Sequence, residues 1–349
     1  MLSLIELPYL PVTRALNFSV NQRYPTRRDR ISSNMSKNAG KTDTHYTPTS
    51  PDDIRDVLNR FFERCQIRYD EFPYDIDLHN LCIEEAHKHS YPVDPSPGVP
   101  SILKALPAGV AIAATSYAHL HSRDVQVFIA LYTGFLVYLD DCVTHDVSGV
   151  DMFVERFISG HPQDNDVLES LALFLRETYV YYSGIQANII MTSTLNFITS
   201  VVLENKTQTM QPSPDAHGYP TFARYLSGVS EAYAFFAFPP STPLGDYIQA
   251  LPEMTMFICC TNDILSFYKE ERDHESFNYI SIQAGFRGKS KVEILSALAD
   301  DVVTCLERIM RIVDANEDVK AAFGAFAKGY VYFHTSLQKR YHLDELFSV

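Results

Sequence analysis

From Val125 to Leu139 the chain reads VQVFIALYTGFLVYL, an apolar series interrupted only by Gln126, Thr133 and Gly134. A helix with so little polar surface must be surrounded, either by other helices or by lipid. Its most apolar part, Phe128 to Leu139, is broken by Thr133 and Gly134 and falls short of the ~20 residues needed to cross a bilayer. Lipid is therefore set aside, and the protein is expected to be soluble, with no stable membrane insertion. The remaining solution is a large bundle in which this helix is central.

The rest of the chain supplies the wrapping. Ile54, Val57, Leu58, Phe61 and Phe62 recur at three- and four-residue spacing behind Asp53, which can cap the helix they form. Comparable periods predict helices over roughly 75–90, 101–121, 123–146, 164–183, 185–206, 220–237, 244–273, 290–314 and 317–341. Pro92, Pro95, Pro97, Pro100, Gly160, Pro162, Pro212, Pro214, Pro239, Pro240, Pro243, Gly285 and Gly288 punctuate them. No run of short alternating segments with hairpin turns is present, nor any internal repeat. The expected fold is all-α, a single large helical bundle over 51–349 whose inner helix faces can enclose an apolar cavity.

Charge and cysteine usage narrow the partners. The 349 residues carry a net charge of −14, which argues against nucleic acid, since phosphate neutralisation needs a basic face. Residues 1–50 run the other way, with seven basic against three acidic side chains and many Ser, Thr and Asn. That stretch has no sustained apolar period and no signal-peptide core, so it reads as a flexible extension. Cys65, Cys82, Cys142, Cys259, Cys260 and Cys305 are scattered and form no C-x-x-C pair. They read as buried thiols of a reducing compartment, and the cytoplasm is the expected location.

Two oxygen-bearing clusters stand out against the apolar helices. Asp140-Asp141 closes the central apolar run, and paired carboxylates there are costly to desolvate without cations nearby. A divalent metal is one compensation; a solvated helix end is the other. Asp146, six residues on, would point about 240° away from Asp140 if the helix continued. The second cluster is Asn262, Ser266 and Glu270, at i, i+4 and i+8. Each four-residue step drifts only ~40° around a helix, so carboxamide, hydroxyl and carboxylate share one stripe. Such a mixed set suits Mg²⁺ that also takes a phosphate oxygen, and Lys269 lies close enough to meet that phosphate. The alternative, a polar exposed face, fits poorly with Met254, Met256, Phe257, Ile258, Cys259 and Cys260 immediately upstream.

Asn262-Asp263-x-x-Ser266-x-x-Lys269-Glu270 resembles the second metal motif of class I terpene synthases, and Asp140-Asp141 resembles their aspartate-rich motif. Ser193-Thr194-Leu195-Asn196-Phe197, Tyr219-Pro220-Thr221-Phe222-Ala223-Arg224, Gly329-Tyr330-Val331, His334 and Arg340-Tyr341 narrow the resemblance to the trichodiene synthase family of fungal sesquiterpene cyclases. The motifs occur in order over roughly 93–346.

The resemblance implies a cyclase acting on farnesyl diphosphate with three Mg²⁺ ions. It would make Asp140 the main carboxylate for two ions, with Asn262, Ser266 and Glu270 holding the third. Arg224 would sense the diphosphate; Lys269, Arg340 and Tyr341 would donate hydrogen bonds to it; Asp141 would pair with Arg340 on closure. A cyclic C15 product is implied, trichodiene or a related polycyclic hydrocarbon, or an alcohol such as longiborneol formed by water capture, within secondary metabolism. The partner is then a small prenyl diphosphate, with the oligomeric state open between monomer and homodimer. Tyr117, Phe128, Phe135, Tyr138, Tyr233, Phe235, Phe236 and Tyr330 are candidates to line the cavity, where aromatic faces stabilise a cation by about 1–2 kcal/mol each. Two other classes share the architecture. A chain-elongating prenyl diphosphate synthase would carry a second aspartate-rich motif in place of Asn262, Ser266 and Glu270. A catalytically silent helical binding protein would not need Arg224 and Arg340-Tyr341 beside them.

Overall fold

The computed structural model describes residues 49–94, 99–143, 149–182, 184–207, 210, 213, 215–275 and 278–347. Nearly all of the extension expected over 1–50 lies outside these residues, as do Asp146 and His145.

Helix α1 (Pro51–Arg64) starts earlier than the apolar period implies: Ser50, not Asp53, is the cap, accepting from the Asp52 amide at 3.2 Å, and Pro51 fits the first helical position. Side-chain caps also open α2 (Ile76–Lys88, Asp75), α6 (Asp166–Tyr181, Asn165) and α13 (Glu317–Ser336, Asn316). A full Ser290–Glu293 capping box opens α12 (Lys291–Ile312). Between these lie α3 (Leu106–Ser116), α4 (Arg123–Val143), α5 (Phe153–Ser159), α7 (Gly184–Lys206), α8 (Tyr219–Ser227), α9 (Ser230–Phe236), α10 (Leu251–Arg272) and α11 (Tyr279–Arg287), and the short α14 (Gln338–Tyr341) and α15 (Asp344–Phe347) follow. No strand occurs among the described residues. The all-α expectation holds.

The periodic segments differ from the helices at informative places. The helix expected over 220–237 is two helices, because Val229 turns left-handed at φ 48° between α8 and α9. A β-branched residue there is a true outlier, and Val229 is buried. The segment expected over 317–341 breaks at Leu337, which swings α14 across the end of α10. Helices α5 and α11 are too short to announce themselves by period.

One contiguous core joins the helices, and its centre is α4, whose Val125, Val127 to Leu131, Tyr132, Phe135, Leu136 and Leu139 are buried. α3 packs on both α4 and α13. Two glycines make this possible: a Cβ on Gly109 would sit 2.0 Å from the Ala130 carbonyl oxygen, and one on Gly329 would sit 2.1 Å from that of Thr115. Backbone touches backbone on both sides of α3. α10 packs against α9, α12 and α14. α7, and not the 128–139 run, is long and apolar enough to cross a membrane by length and composition alone; in the fold its Ile190, Thr194, Phe197, Ile198 and Val201 are buried against the bundle.

Candidate active site

α10 carries the second oxygen cluster. Pro252 occupies its first turn, and Met254, Phe257, Ile258, Ile264, Leu265 and Phe267 bury it on several sides. Asn262 and Ser266 are therefore buried and Glu270 is partly so. Two members of the expected stripe meet directly: Ser266 Oγ donates to Glu270 Oε1 at 2.6 Å, one helical turn away, while the Asn262 oxygen accepts from Arg224. Burial pushes the Glu270 carboxyl up to about 8, with nearby Glu275 adding to the effect and Lys269 opposing it. Lys269 is buried and its Nζ lies 3.5 Å from Glu275 Oε1.

Arg224, near the end of α8, reaches the same helix. Its Nε donates to both carboxylate oxygens of Asp263 at 2.8 Å, and its Nη2 donates to the Cys259 carbonyl at 2.9 Å and to Asn262 Oδ1 at 3.2 Å. Burial alone would loosen the proton on Arg224, but Asp263 outweighs it and holds the guanidinium charged. Nη1, also buried, makes no hydrogen bond to the described residues. Asp263 had no role in the sequence reading beyond its place in the motif; here both its carboxylate oxygens accept from the single Nε of Arg224 and orient the guanidinium.

His334 is a second residue that the sequence reading quoted without a role. Fully buried near the end of α13, it donates from Nδ1 to the Tyr330 carbonyl at 2.7 Å and meets Asn262 Nδ2 through Nε2 at 3.1 Å. Burial pushes its pKa down to about 3, so the ring is neutral.

The aspartate pair arrives from the other side, at the end of α4. Burial first, and Asp140 second, push the Asp141 carboxyl up to about 7, while Arg340 and Lys269 pull it down. Those two cations belong to α14 and α10, so Asp141 already senses Arg340, the partner expected of it on closure. Tyr341 completes the circuit: its buried hydroxyl lies beside Arg340, Glu270 and Asn262. Asp141 thus lies within electrostatic reach of Asp140, Arg340 and Lys269, and Tyr341 within reach of Arg340, Glu270 and Asn262, which links the end of α4 to α10 and α14.

A small apolar cavity of about 20 Å³ is lined by Ile112, Leu136, Val137, Phe197, Arg224, Gly228, Val229, Tyr233, Ile258, Cys259, Tyr330 and Phe333. Of the eight aromatic candidates, Tyr233 and Tyr330 line it; Phe197 and Phe333 join them unanticipated. Phe128 and Phe135 instead pack on Phe174 with ring centres 4.8 and 5.3 Å away, and Phe236 packs edge-on to Tyr132. These rings are core. The cavity holds about one water, against several hundred Å³ for ordinary ligand pockets. A second hollow of about 220 Å³ opens on the far side of α10, between α8, α11 and α12, and shares Arg224 and Cys259 with the first.

The donor set fits magnesium. Carboxamide, hydroxyl and carboxylate groups lie along one helical stripe, and burial raises two carboxyl groups, Asp141 and Glu270, in spite of Lys269 nearby. Among the described residues no three His, Cys, Asp or Glu side chains gather as a metal cage. An ion on Asn262, Ser266 and Glu270 would therefore complete its shell with water and phosphate oxygens, the habit of Mg²⁺.

The chain is similar in sequence to known terpene-forming enzymes. Alpha-cuprenene synthase COP6 of Coprinopsis cinerea is 38% identical over 295 residues, covering 84% of this chain and 90% of that protein. Longiborneol synthase CLM1 of Gibberella zeae is 32% identical over 302 residues, covering 81% of this chain and 88% of its own. Among solved structures, linalool/nerolidol synthase from Streptomyces clavuligerus superposes with a TM-score of 0.57 at 13% identity, over 77% of this chain and 98% of that one, a likeness of fold alone. The family model of trichodiene synthase (TRI5) matches residues 58–349. With an all-α bundle of the class I terpene synthase type and relatives of this similarity, the chain belongs to the trichodiene synthase family of terpene synthases.

Proposed function

We propose that this terpene synthase is a magnesium-dependent sesquiterpene cyclase that ionises farnesyl diphosphate, releasing diphosphate and a cyclic C15 product. The observation that carries the reading is the mutual electrostatic reach of Asp141, Lys269 and Arg340, and of Tyr341 with Arg340 and Glu270, together with an Arg224 that also lines an aromatic-walled cavity. Departure of diphosphate from an allylic carbon leaves a carbocation, so the anion must be held strongly and the cation kept from water. Bound magnesium would neutralise the charge that develops on the leaving oxygen. Asp140, Asn262, Ser266 and Glu270 would hold it, with three ions expected. Arg224 through Nη1, Lys269, Arg340 and Tyr341 would donate to diphosphate oxygens, each in a buried setting where a charge-assisted bond is strong. Tyr233, Tyr330, Phe197 and Phe333 would shape the chain and offer their faces to migrating positive charge.

The names of the relatives, an alpha-cuprenene synthase and a longiborneol synthase, support a cyclic C15 product, hydrocarbon or alcohol. The test is direct. Purified protein with Mg²⁺ and farnesyl diphosphate should release diphosphate and a cyclic C15 compound detectable by gas chromatography–mass spectrometry. Inactivity with C10, C15 and C20 diphosphates alike would refute catalysis, and isopentenyl-dependent lengthening would identify a prenyl chain-elongating enzyme instead.

A further inference from the structure

His334 occupies a position that the metal-binding reading does not use. It comes from α13, 72 residues beyond Asn262, and its ring is enclosed by Tyr330, Phe333 and Tyr341 with ring centres 4.9, 5.0 and 4.6 Å away. Its hydrogen bonding is determined by what surrounds it. A carbonyl can only accept, so the 2.7 Å contact with the Tyr330 oxygen places a proton on Nδ1. Arg224 Nη2 can only donate, so the Asn262 atom 3.2 Å from it is the oxygen, and the amide nitrogen stands at the end facing His334. Nε2 therefore presents a lone pair, and the group of Asn262 that can meet it at 3.1 Å is the Nδ2 amide. The other end of the same carboxamide, Oδ1, accepts from Arg224 Nη2 at 3.2 Å. A donor on one side and an acceptor on the other fix which way round Asn262 stands.

We infer that His334 is a positioning residue for the metal site: its Nε2 lone pair engages the Asn262 Nδ2 amide, which leaves Oδ1, the atom facing Arg224 Nη2, as the end of the carboxamide able to take a cation. The inference rests on the proposed role of Asn262, Ser266 and Glu270 in binding magnesium. A free asparagine can present nitrogen or oxygen, and only oxygen can ligate a hard cation. Such outer partners commonly change metal affinity by about 10–100-fold.

The test reads metal binding without turnover. Thermal stability of the full chain is followed while Mg²⁺ is titrated in the presence of inorganic diphosphate, giving a half-saturation concentration. His334→Leu removes the acceptor and should raise that concentration by about tenfold or more. His334→Gln, which offers a carboxamide oxygen to Asn262, should stay within about threefold of the wild type. The decisive comparison is made in an Asn262→Asp background. A carboxylate has two equivalent oxygens and no orientation to fix, so there His334→Leu should leave half-saturation unchanged within about twofold. An unaltered half-saturation in the single variant, or equal losses in both backgrounds, overturns the inference and makes His334 a core residue. A wild type that shows no response to Mg²⁺ with diphosphate overturns the metal site itself, a separate outcome.

A second measurement does not depend on the leucine variant folding. Two-bond ¹H–¹⁵N histidine spectra of the wild type, with His334 assigned through His334→Gln, should show a protonated Nδ1 and a bare Nε2. The opposite tautomer, or a doubly protonated ring, would turn the Asn262 oxygen toward His334 and overturn the proposal.

Discussion

Across the packing of α8 on α10, Arg224 Nε stands 2.8 Å from both carboxylate oxygens of Asp263. Both residues are buried, so the pair is held where neither charge can be repaired by water. Asp263→Ala is expected to destabilise the fold by about 3–5 kcal/mol, because it strands the guanidinium rather than because it deletes an attraction. Guanidinium chloride unfolding measures this. Arg224→Met with Asp263→Leu should recover much of the stability and none of the turnover, separating the structural use of the pair from its use toward the substrate.

Arg340→Met removes a buried cation from beside Tyr341 while leaving the α10 stripe intact. Product formation should fall by about 10², the typical cost of losing one preorganised donor to a developing anion. Affinity for inorganic diphosphate should fall with it. Arg340→Lys should restore only part, since a point charge cannot reproduce the planar fork. Steady-state kinetics with diphosphate as inhibitor checks both effects.

The metal-free protein should lose stability as pH rises. Glu270 lies near 8 in the fold against an ordinary value of 4.5, and Asp141 near 7 against 3.8. Between the ordinary and folded values the unfolded chain has released these protons and the folded one has not, so stability present below pH 4 is lost on the way to pH 8. Thermal melts in EDTA from pH 5 to 8.5 should show the fall. Glu270→Gln should flatten it, and Mg²⁺ with diphosphate should flatten it in the wild type by favouring the ionised carboxylates.

Gly329→Ala and Gly109→Ala add one methyl each where the neighbouring carbonyl oxygen is 2.1 and 2.0 Å from the new carbon. Neither can be accommodated by a side-chain rotation, because the obstacle is backbone. Each should destabilise by about 1–3 kcal/mol or more. Gly160→Ala is a useful contrast: nothing lies within 4 Å of its Cβ, but its φ of +71° makes the cost conformational. Denaturant midpoints would rank the three.

The architecture and most of the site were visible in the residues alone, for reasons that can be named. The near-continuous apolarity of 125–139 demanded a central helix, and the i, i+4, i+8 spacing of Asn262, Ser266 and Glu270 set them along one face, two of them joined by the 2.6 Å Ser266–Glu270 bond. What stayed hidden depends on contacts between distant segments. Asp263 finds Arg224 from 39 residues away, and His334 finds Asn262 from 72. The division of the 220–237 segment was illegible because Gly228 keeps an ordinary helical φ while Val229, the residue less suited to it, takes the left-handed one. The lining aromatics were likewise beyond reach, since Phe128 and Tyr233 share the same periodic pattern and differ only in which neighbour they meet.

α3 contains no acid, no base and no candidate ligand, yet it sits in backbone contact with α4 through Gly109 and with α13 through Gly329. One neighbour ends in Asp140 and Asp141; the other leads through His334 to Arg340. The gauge between the two jaws is thus cut by a chemically inert spacer. A single methyl added on either flank would widen the gap without touching any reacting group, so damage to turnover can originate in a helix that no inventory of reactive side chains would include.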